Sequence, residues 1–221
     1  MQECTDQFRA RRTWIDSRLA DEVDGSKGAQ SIKLLDYACG NGTASKGLLP
    51  YVTSAQGLDL SPGMVSSYND WASSAANQPG KAQAQVCDLL PATEEQLADP
   101  SLQNFDIATI SMALHHVADP ALLLARLARC LRPGGVCVVL DMVPQGHHEQ
   151  EVDEVMREEG EKVRATIAKH GFSEGEMRTL LAGAGLGVEV EYVLVEKPFE
   201  FTMRGRKGTV QGFFAKGRRP L

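Results

Sequence analysis

The amino-acid sequence predicts an α/β fold: a doubly wound, mostly parallel seven-stranded sheet with an antiparallel C-terminal hairpin and a helical lid. Three observations carry that prediction. Short apolar runs alternate with helix-spaced stretches as far as residue 141, the pattern of parallel strands covered by helices. Ser61-Pro62 and Asp119-Pro120 each place an N-cap ahead of a proline at the first helical position. Beyond residue 187 two long β-type runs follow one another across a basic loop.

In chain order, residues 1–30 are charged, carry Phe8, Trp14 and Ile15 at helix-compatible spacing, and are expected to form an N-terminal helical cap. Residues 32–37 (IKLLDY) make the first strand, and a glycine-containing loop leads into a helix over about 43–49, stopped near Pro50. The second strand is 55–59 (AQGLD), after which the Ser61-Pro62 cap opens a helix through about 64–76. A third, weaker strand spans 82–86, and 91–103 holds a short helix or loop. The fourth strand is 105–111 (FDIATIS). Leucines at 122, 123, 127 and 131 mostly follow helical spacing, so 121–131 reads as a helix. Arg132-Pro133-Gly134-Gly135 is a turn, and 136–141 (VCVVLD) is a fifth strand buried on both faces. Residues 145–172 are polar, with His147, His148 and a run of Glu and Lys, and are expected as a helical lid inserted into a single domain of 221 residues. Ser173 caps a helix ending at Gly183 or Gly185, and runs 188–195 and 210–215 form the closing hairpin.

A chain of this length buries a sizeable core without disulfides or metals. Its 23 basic and 29 acidic residues give a formal charge of −6, which disfavours broad adhesion to nucleic acid or to an anionic membrane. The densest basic set, Arg204, Arg206, Lys207, Lys216, Arg218 and Arg219, reads as a solvated hairpin and tail. Cys4, Cys39, Cys87, Cys130 and Cys137 are odd in number and lack CxxC spacing, so they are expected as reduced thiols. No run approaches the roughly 18 apolar residues of a membrane span, and the first thirty residues lack an apolar secretory core; a soluble, cytoplasmic protein is expected. Nothing in the chain specifies an oligomeric state.

The chemistry gathers at strand ends. Between the first strand and first helix runs Asp36-Tyr37-Ala38-Cys39-Gly40-Asn41-Gly42-Thr43, where glycines allow a tight turn and a helix N-terminus offers free N–H groups. Asp59 ends the second strand 19 positions after Gly40, where a carboxylate accepts hydrogen bonds from both hydroxyls of a ribose. Together they indicate an adenosine-type ligand. A nicotinamide dinucleotide requires GxGxxG spacing, but the third position here is Ser45, and Asp36 opposes a pyrophosphate. That acid suits a cationic ligand.

The stretches LLDYACGNG, GLDLSPGMV, CDLL, FDIATISMALHHVADP and LRPGGVCVVLD, spanning about residues 32–141, resemble the class I S-adenosylmethionine-dependent methyltransferases, especially the small-molecule group related to quinone-pathway C-methyltransferases. The resemblance implies S-adenosylmethionine as methyl donor and S-adenosylhomocysteine as product. It implies that Asp36, Ala38, Gly40 and Asn41 line the methionine portion, Ala38 standing where the family's first glycine is usual. Asp59 would take the ribose hydroxyls, with Leu60 and Met64 flanking the adenosine. Asp88 would bind the adenine amino group, with Leu89 against the ring, and Ser111 and Met112 would lie beside the sulfonium. In such enzymes an N-terminal helix folds over the cofactor; Trp14 either contributes to that cover and to the substrate site or anchors its helix to the core.

Methyl transfer needs alignment of nucleophile, methyl and sulfur, exclusion of water, and in some cases removal of a proton. His115 and His116 follow the fourth strand, where an imidazole is placed to act as base, and His116 is the preferred candidate. Asp141, His147 and His148 are candidate substrate contacts, with His170 a fainter one. The adjacent histidine pairs lack the i, i+4 spacing of a metal site, and the fourth strand ends in Ser111 rather than an acid, so no metal is expected. The stretch Ser111-Met112-Ala113-Leu114 also lacks the motif with which amino-methylating enzymes grip a flipped base. The expected function is therefore methyl transfer to a small organic acceptor through an O, N, S or C nucleophile, without nucleic-acid substrates. The alternatives are a non-catalytic binding module of the same fold and a methyltransferase acting on protein.

Overall fold

The computed structural model describes residues 2–21, 31–74, 80–144, 168–203 and 206–221, with backbone alone for 201–203 and 206–207. Seven strands form one sheet: β1 (Lys33–Tyr37), β2 (Ser54–Asp59), β3 (Ala82–Val86), β4 (Phe105–Ser111), β5 (Leu131–Met142), β6 (Val188–Leu194) and β9 (Gly212–Arg218), in the order β3-β2-β1-β4-β5-β9-β6. The first five are parallel, and β9 runs antiparallel between β5 and β6. The doubly wound, mostly parallel sheet read from the sequence is the one observed.

Consecutive strand residues point to opposite faces, and the core divides accordingly. Leu35, Ala108, Val139 and Phe213 pack under α6 (Pro120–Cys130) and α7 (Glu174–Gly183). Leu34, Ile107, Val138 and Phe214 pack under α1 (Gln2–Ala10), α2 (Arg12–Ile15), α3 (Thr43–Leu48) and α4 (Pro62–Ala72). Both cap-plus-proline signals work as read. Ser61 Oγ accepts from Met64 N, and Asp119 accepts from Leu122 N. Ser173 opens α7 with a capping box to Glu176. A four-residue helix α5 (Glu94–Leu97) fills part of the segment left open between helix and loop.

Three local features differ from the expectations. Residues 132–135 are not a turn outside the strand. They loop out within β5, between the pairs Phe105↔Leu131 and Ile107↔Val136, with Gly134 at φ 73°. The loop joining β6 to β9 itself folds into a two-stranded hairpin, β7 (Phe199–Met203) with β8 (Arg206–Val210), seated where Phe199 closes over Gly212. Finally, the basic end is not a solvated tail. Lys216 is buried and bonds Glu191 and the Trp14 carbonyl. Arg218 pairs with Glu189 and Asp16, and Arg219 donates to the carbonyls of Ala128 and Leu131. Arg204 and the side chains of Arg206 and Lys207 lie outside the described residues.

The N-terminal segment lies along one face of the sheet. Thr5 Oγ1 donates to the Thr43 carbonyl, and a Cβ on Gly47 would lie 2.7 Å from the Thr5 carbonyl oxygen, so α1 and α3 cross in backbone contact. Trp14 is an anchor: its Nε1 donates to Glu191 Oε2 at 2.8 Å and the Lys216 ammonium sits 4.6 Å above its ring, on the β9–β6 side. Among the described residues, no helix is long and apolar enough to cross a membrane. The lid expected over 145–172 falls outside the described residues up to 167.

Candidate functional site

The strand order reverses between β1 and β4, and the carboxyl ends of the parallel strands there carry the residues singled out from the sequence. Past β1 the backbone turns through Ala38, Gly40 and Gly42 with φ of 52°, 52° and 91°. Gly42 is tightly confined: a Cβ would stand 3.1–3.3 Å from the rings of Tyr68 and Trp71. Gly40 is the opposite case, with nothing within 4 Å of a Cβ built on it, so the loop opens onto free space there. Asn41 is half-buried between them.

Asp59 ties this loop to the end of β2. Its Oδ2 accepts from Gly40 N at 2.8 Å and its Oδ1 from Ser61 N at 2.8 Å. A carboxylate has about four lone-pair sites, so each oxygen keeps one for a ligand hydroxyl. Leu60 (62% exposed), Met64 (48%) and Val86 (55%) stand on the rim around it, with Asp59 and Val86 direct register partners. Such a cluster of uncovered apolar side chains beside a carboxylate suits one flat aromatic group. Val86 was not singled out from the sequence, because an apolar residue ending a weak strand carries no signal of exposure.

Asp88 Oδ1 accepts from Leu90 N at 2.9 Å and from the Tyr37 hydroxyl at 3.3 Å. Burial, and then the Asp88 charge, push the Tyr37 hydroxyl well above its ordinary pKa and keep it a donor. Two expectations need correction. Leu89 is fully buried in the core and cannot lie against a ligand ring without leaving it. Asp36 does not face the open loop either: it is 1% exposed, Oδ2 accepts from Ser45 N at 3.0 Å and Ser45 Oγ at 2.7 Å, and Oδ1 accepts from Thr109 Oγ1 at 3.2 Å. Tyr68 donates to Ser45 Oγ at 2.8 Å and completes a buried chain. Burial raises Asp36 to about 6, against the pull of its Ser45 and Thr109 donors. This acid acts as the internal keystone of the loop. Cys39 beside it is buried, and burial raises its thiol far above the nucleophilic range, as it does Cys137 to about 12.

Across the switch point, Ser111 ends β4 and Met112 follows with φ 50°, its N–H donating to the Leu140 carbonyl at 2.7 Å. A 3₁₀ turn, Leu114–His116, then brings the two histidines over the end of β5. Here the structure separates them. His115 is 5% exposed, and its Nδ1 lies 2.8 Å from Asp141 Oδ1, while its backbone N–H donates to Asp141 Oδ2 at 3.2 Å. Met142 N–H donates to Asp141 Oδ1 at 2.7 Å. His116 is exposed, its ring 4.0 Å from that of His115. The carboxylate therefore pairs with His115, not with the histidine preferred from sequence position. When Nδ1 carries the ring proton, Asp141 Oδ1 accepts it and the lone pair of the imidazole lies on Nε2. Adjacent parallel strands make the end of β5 a neighbour of the turn after β4, so the proximity was readable; which of two successive histidines turns inward was not. His147 and His148 lie outside the described residues. His170 is exposed, in the segment that re-enters the fold.

Comparison with known proteins finds similarity to methyltransferases. The family described as a methyltransferase domain matches residues 35–139. An uncharacterized methyltransferase of Schizosaccharomyces pombe is 30% identical over 159 residues, 70% of this chain and 53% of its own length. A ubiquinone biosynthesis O-methyltransferase of Hahella chejuensis is 27% identical over 149 residues, 58% of this chain and 59% of its own. The chain thus spans little more than half the length of these curated relatives. The crystal structure of magnesium protoporphyrin IX methyltransferase from Synechocystis PCC 6803 with bound S-adenosylhomocysteine superposes with a TM-score of 0.62 at 15% identity, covering 99% of this chain and 83% of that one, a likeness of fold.

Proposed function

Since this chain belongs to the class I S-adenosylmethionine-dependent methyltransferase family, we propose that it transfers a methyl group to a small organic acceptor carrying a removable proton on oxygen or sulfur. The observation that carries the acceptor chemistry is the buried His115–Asp141 pair at the end of β5. An acceptor that reacts as a ready-made anion or a free amine has no use for such a pair, whereas a hydroxyl or thiol does. A ubiquinone biosynthesis O-methyltransferase among the relatives is in keeping with a hydroxyl.

The residues present fit the cofactor. Asp59 keeps acceptor capacity for ribose hydroxyls, Leu60, Met64 and Val86 offer an apolar rim for an adenine, and the open space at Gly40 admits the rest. Asp88 sits beyond the end of β3 with Oδ1 already engaged, and its second oxygen is assigned to the adenine amino group. Bound there, S-adenosylmethionine supplies an activated methyl group on a positively charged sulfur. His115 would take the acceptor proton at Nε2, and Asp141 would hold the ring in orientation and balance the imidazolium. In-line transfer from a sulfonium needs no covalent nucleophile from the protein.

The test combines calorimetry with product detection. S-adenosylhomocysteine should give binding heat. Incubation with S-adenosylmethionine and a panel of phenols, alcohols and thiols should yield a methylated product by mass spectrometry. His115→Gln should then lower turnover about 100-fold or more, with cofactor affinity unchanged, and His116→Gln should cost far less. Equal turnover in native protein and His115→Gln would overturn the base assignment. Binding of neither donor nor product would overturn the cofactor site.

A further inference from the structure

The segment that re-enters the fold, residues 168–172, is bonded to the same turn and strand that carry His115 and Asp141. The backbone N–H groups of Ala168 and Lys169 both donate to the His115 carbonyl at 3.0 Å. Phe172 N–H donates to the Met142 carbonyl at 2.9 Å, one residue past Asp141, and the Phe172 ring is fully buried. The Tyr192 hydroxyl reaches the Phe172 carbonyl at 3.4 Å, and the Lys169 ammonium lies 4.9 Å over the Phe172 ring. Gly171 makes the crossing possible. It has φ 106°, and a Cβ on it would stand 2.4 Å from the Met142 carbonyl oxygen and 3.0 Å from Pro144 N. No other residue lets the backbone pass so close to the exit of β5.

We propose that this strap is a positioning element for the His115 imidazole, with Gly171 as the residue on which it depends. The inference rests on the His115–Asp141 reading given above. Asp141 holds the ring through Oδ1 and the turn's N–H through Oδ2, and the strap holds the same turn through the His115 carbonyl, so rotation of the turn would break bonds at both ends. Ala168 and Lys169 bond the turn through their backbone N–H groups, which any residue but proline supplies, so their side-chain types give no hint of it.

The test reads the histidine directly and needs no acceptor. In the full chain labelled with ¹⁵N-histidine, His115 should appear as the Nδ1–H tautomer with a slowly exchanging proton, a signal identified by its loss in His115→Gln. Gly171→Ala should average the tautomers, or speed exchange of that proton about tenfold or more, while calorimetric affinity for S-adenosylhomocysteine stays within about twofold. Should Gly171→Ala fail to fold, Ala168→Pro removes one donor to the His115 carbonyl without adding bulk beside Met142, and the same change is expected in lesser degree. A strap that only adds stability would lower the melting temperature and leave the His115 signal as in the native protein, which overturns the proposal. If the native signal is already indifferent to Asp141→Asn, the His115–Asp141 reading itself falls. An Asp141-dependent signal untouched by either strap variant overturns the strap alone.

Discussion

Ala38 and Met112 hold left-handed backbone, at φ 52° and 50°, as the first residues past the central parallel strands β1 and β4. The two strands are hydrogen-bonded neighbours, so both strained residues flank the point where the sheet order reverses. Strain of this kind gathers at functional sites, where the surrounding structure must hold the residue in place.

Ala38→Gly should relieve that strain. An alanine in this region costs about 1–2 kcal/mol, offset in part by the greater freedom glycine loses on folding. Chemical denaturation should show a gain of about 0.5–1 kcal/mol. A loss would mean that the Ala38 methyl packs more usefully than its half-buried position suggests.

Asp59 both shapes the loop and, in the proposed site, receives the ribose. Asp59→Ala should weaken calorimetric affinity for S-adenosylhomocysteine by about 1–3 kcal/mol. Loosening of Gly40 and Ser61, which it holds at 2.8 Å each, contributes to that loss. Asp59→Asn, which keeps one acceptor oxygen, should fall between. Unchanged affinity in both variants would remove the ribose assignment.

The sheet was legible because apolar runs, N-caps and prolines are local signals; β3 and β4 were bounded to the residue and β1 and β2 to within one. Asp59 was placed at a strand end by the same local signals, while Asp88, Ser111 and Met112 were singled out through the family resemblance and lie at or just past the ends of β3 and β4. Burial was not legible where neighbours decide it. Asp36 looks from the sequence like a ligand for a cation, but Ser45, Thr109 and Tyr68, from three different elements, close around it. Leu89 looks like any apolar residue beside an acid, and tertiary packing alone turns it inward. Lys216 and Arg218 read as a solvated run because their partners Glu191, Glu189 and Asp16 lie 25, 29 and 202 positions away. The choice of His115 over His116 depends on a one-residue rotation in a short 3₁₀ turn, which periodicity does not encode.

The raised pKa of Asp36 makes a signed prediction. Its folded value is about 6 against an ordinary 3.8. The folded state therefore holds the proton more tightly, so this group's favourable contribution is complete below about pH 4 and is lost as pH rises through about 6. In Asp36→Asn the side-chain oxygen still accepts from Ser45, and the amide donates to Thr109 Oγ1 while that hydroxyl turns to the Leu35 carbonyl, 3.3 Å away. Urea denaturation from pH 4 to 8 should show the variant gaining on the native protein by about 1–3 kcal/mol across that range. A constant difference would show that Asp36 does not titrate between those values.

Arg18 ties the N-terminal segment to the start of the central strand β4. Its guanidinium bonds both oxygens of Asp16 at 2.9 Å and Asp106 Oδ1 at 2.8 Å, and Asp106 also accepts from Lys33 N at 2.8 Å and Arg132 Nε at 2.6 Å. Burial alone would raise both carboxyls, but these donors outweigh it and hold them below the ordinary range. Arg18→Met would take one guanidinium from two nearly buried carboxylates and leave Asp106 to Arg132 and Lys33 N and Asp16 to Arg218, at a cost of about 1–3 kcal/mol at neutral pH, moderated because Arg18 keeps about a fifth of its side-chain surface in water. Since the carboxyl values are depressed on folding, their contribution is present above about 3.8 and fades as pH falls through the folded values. Denaturation at neutral and at acidic pH should therefore show the variant's deficit shrinking with acid. Limited proteolysis at neutral pH should cut the variant within its first twenty residues sooner than the native chain, because the end of this segment loses its tie to Asp106 and keeps the Arg218–Asp16 pair at 3.6 Å and the Trp14–Glu191 bond at 2.8 Å. Equal cutting would mean that Phe8, Ile15 and Leu19, all fully buried, hold the cap without it.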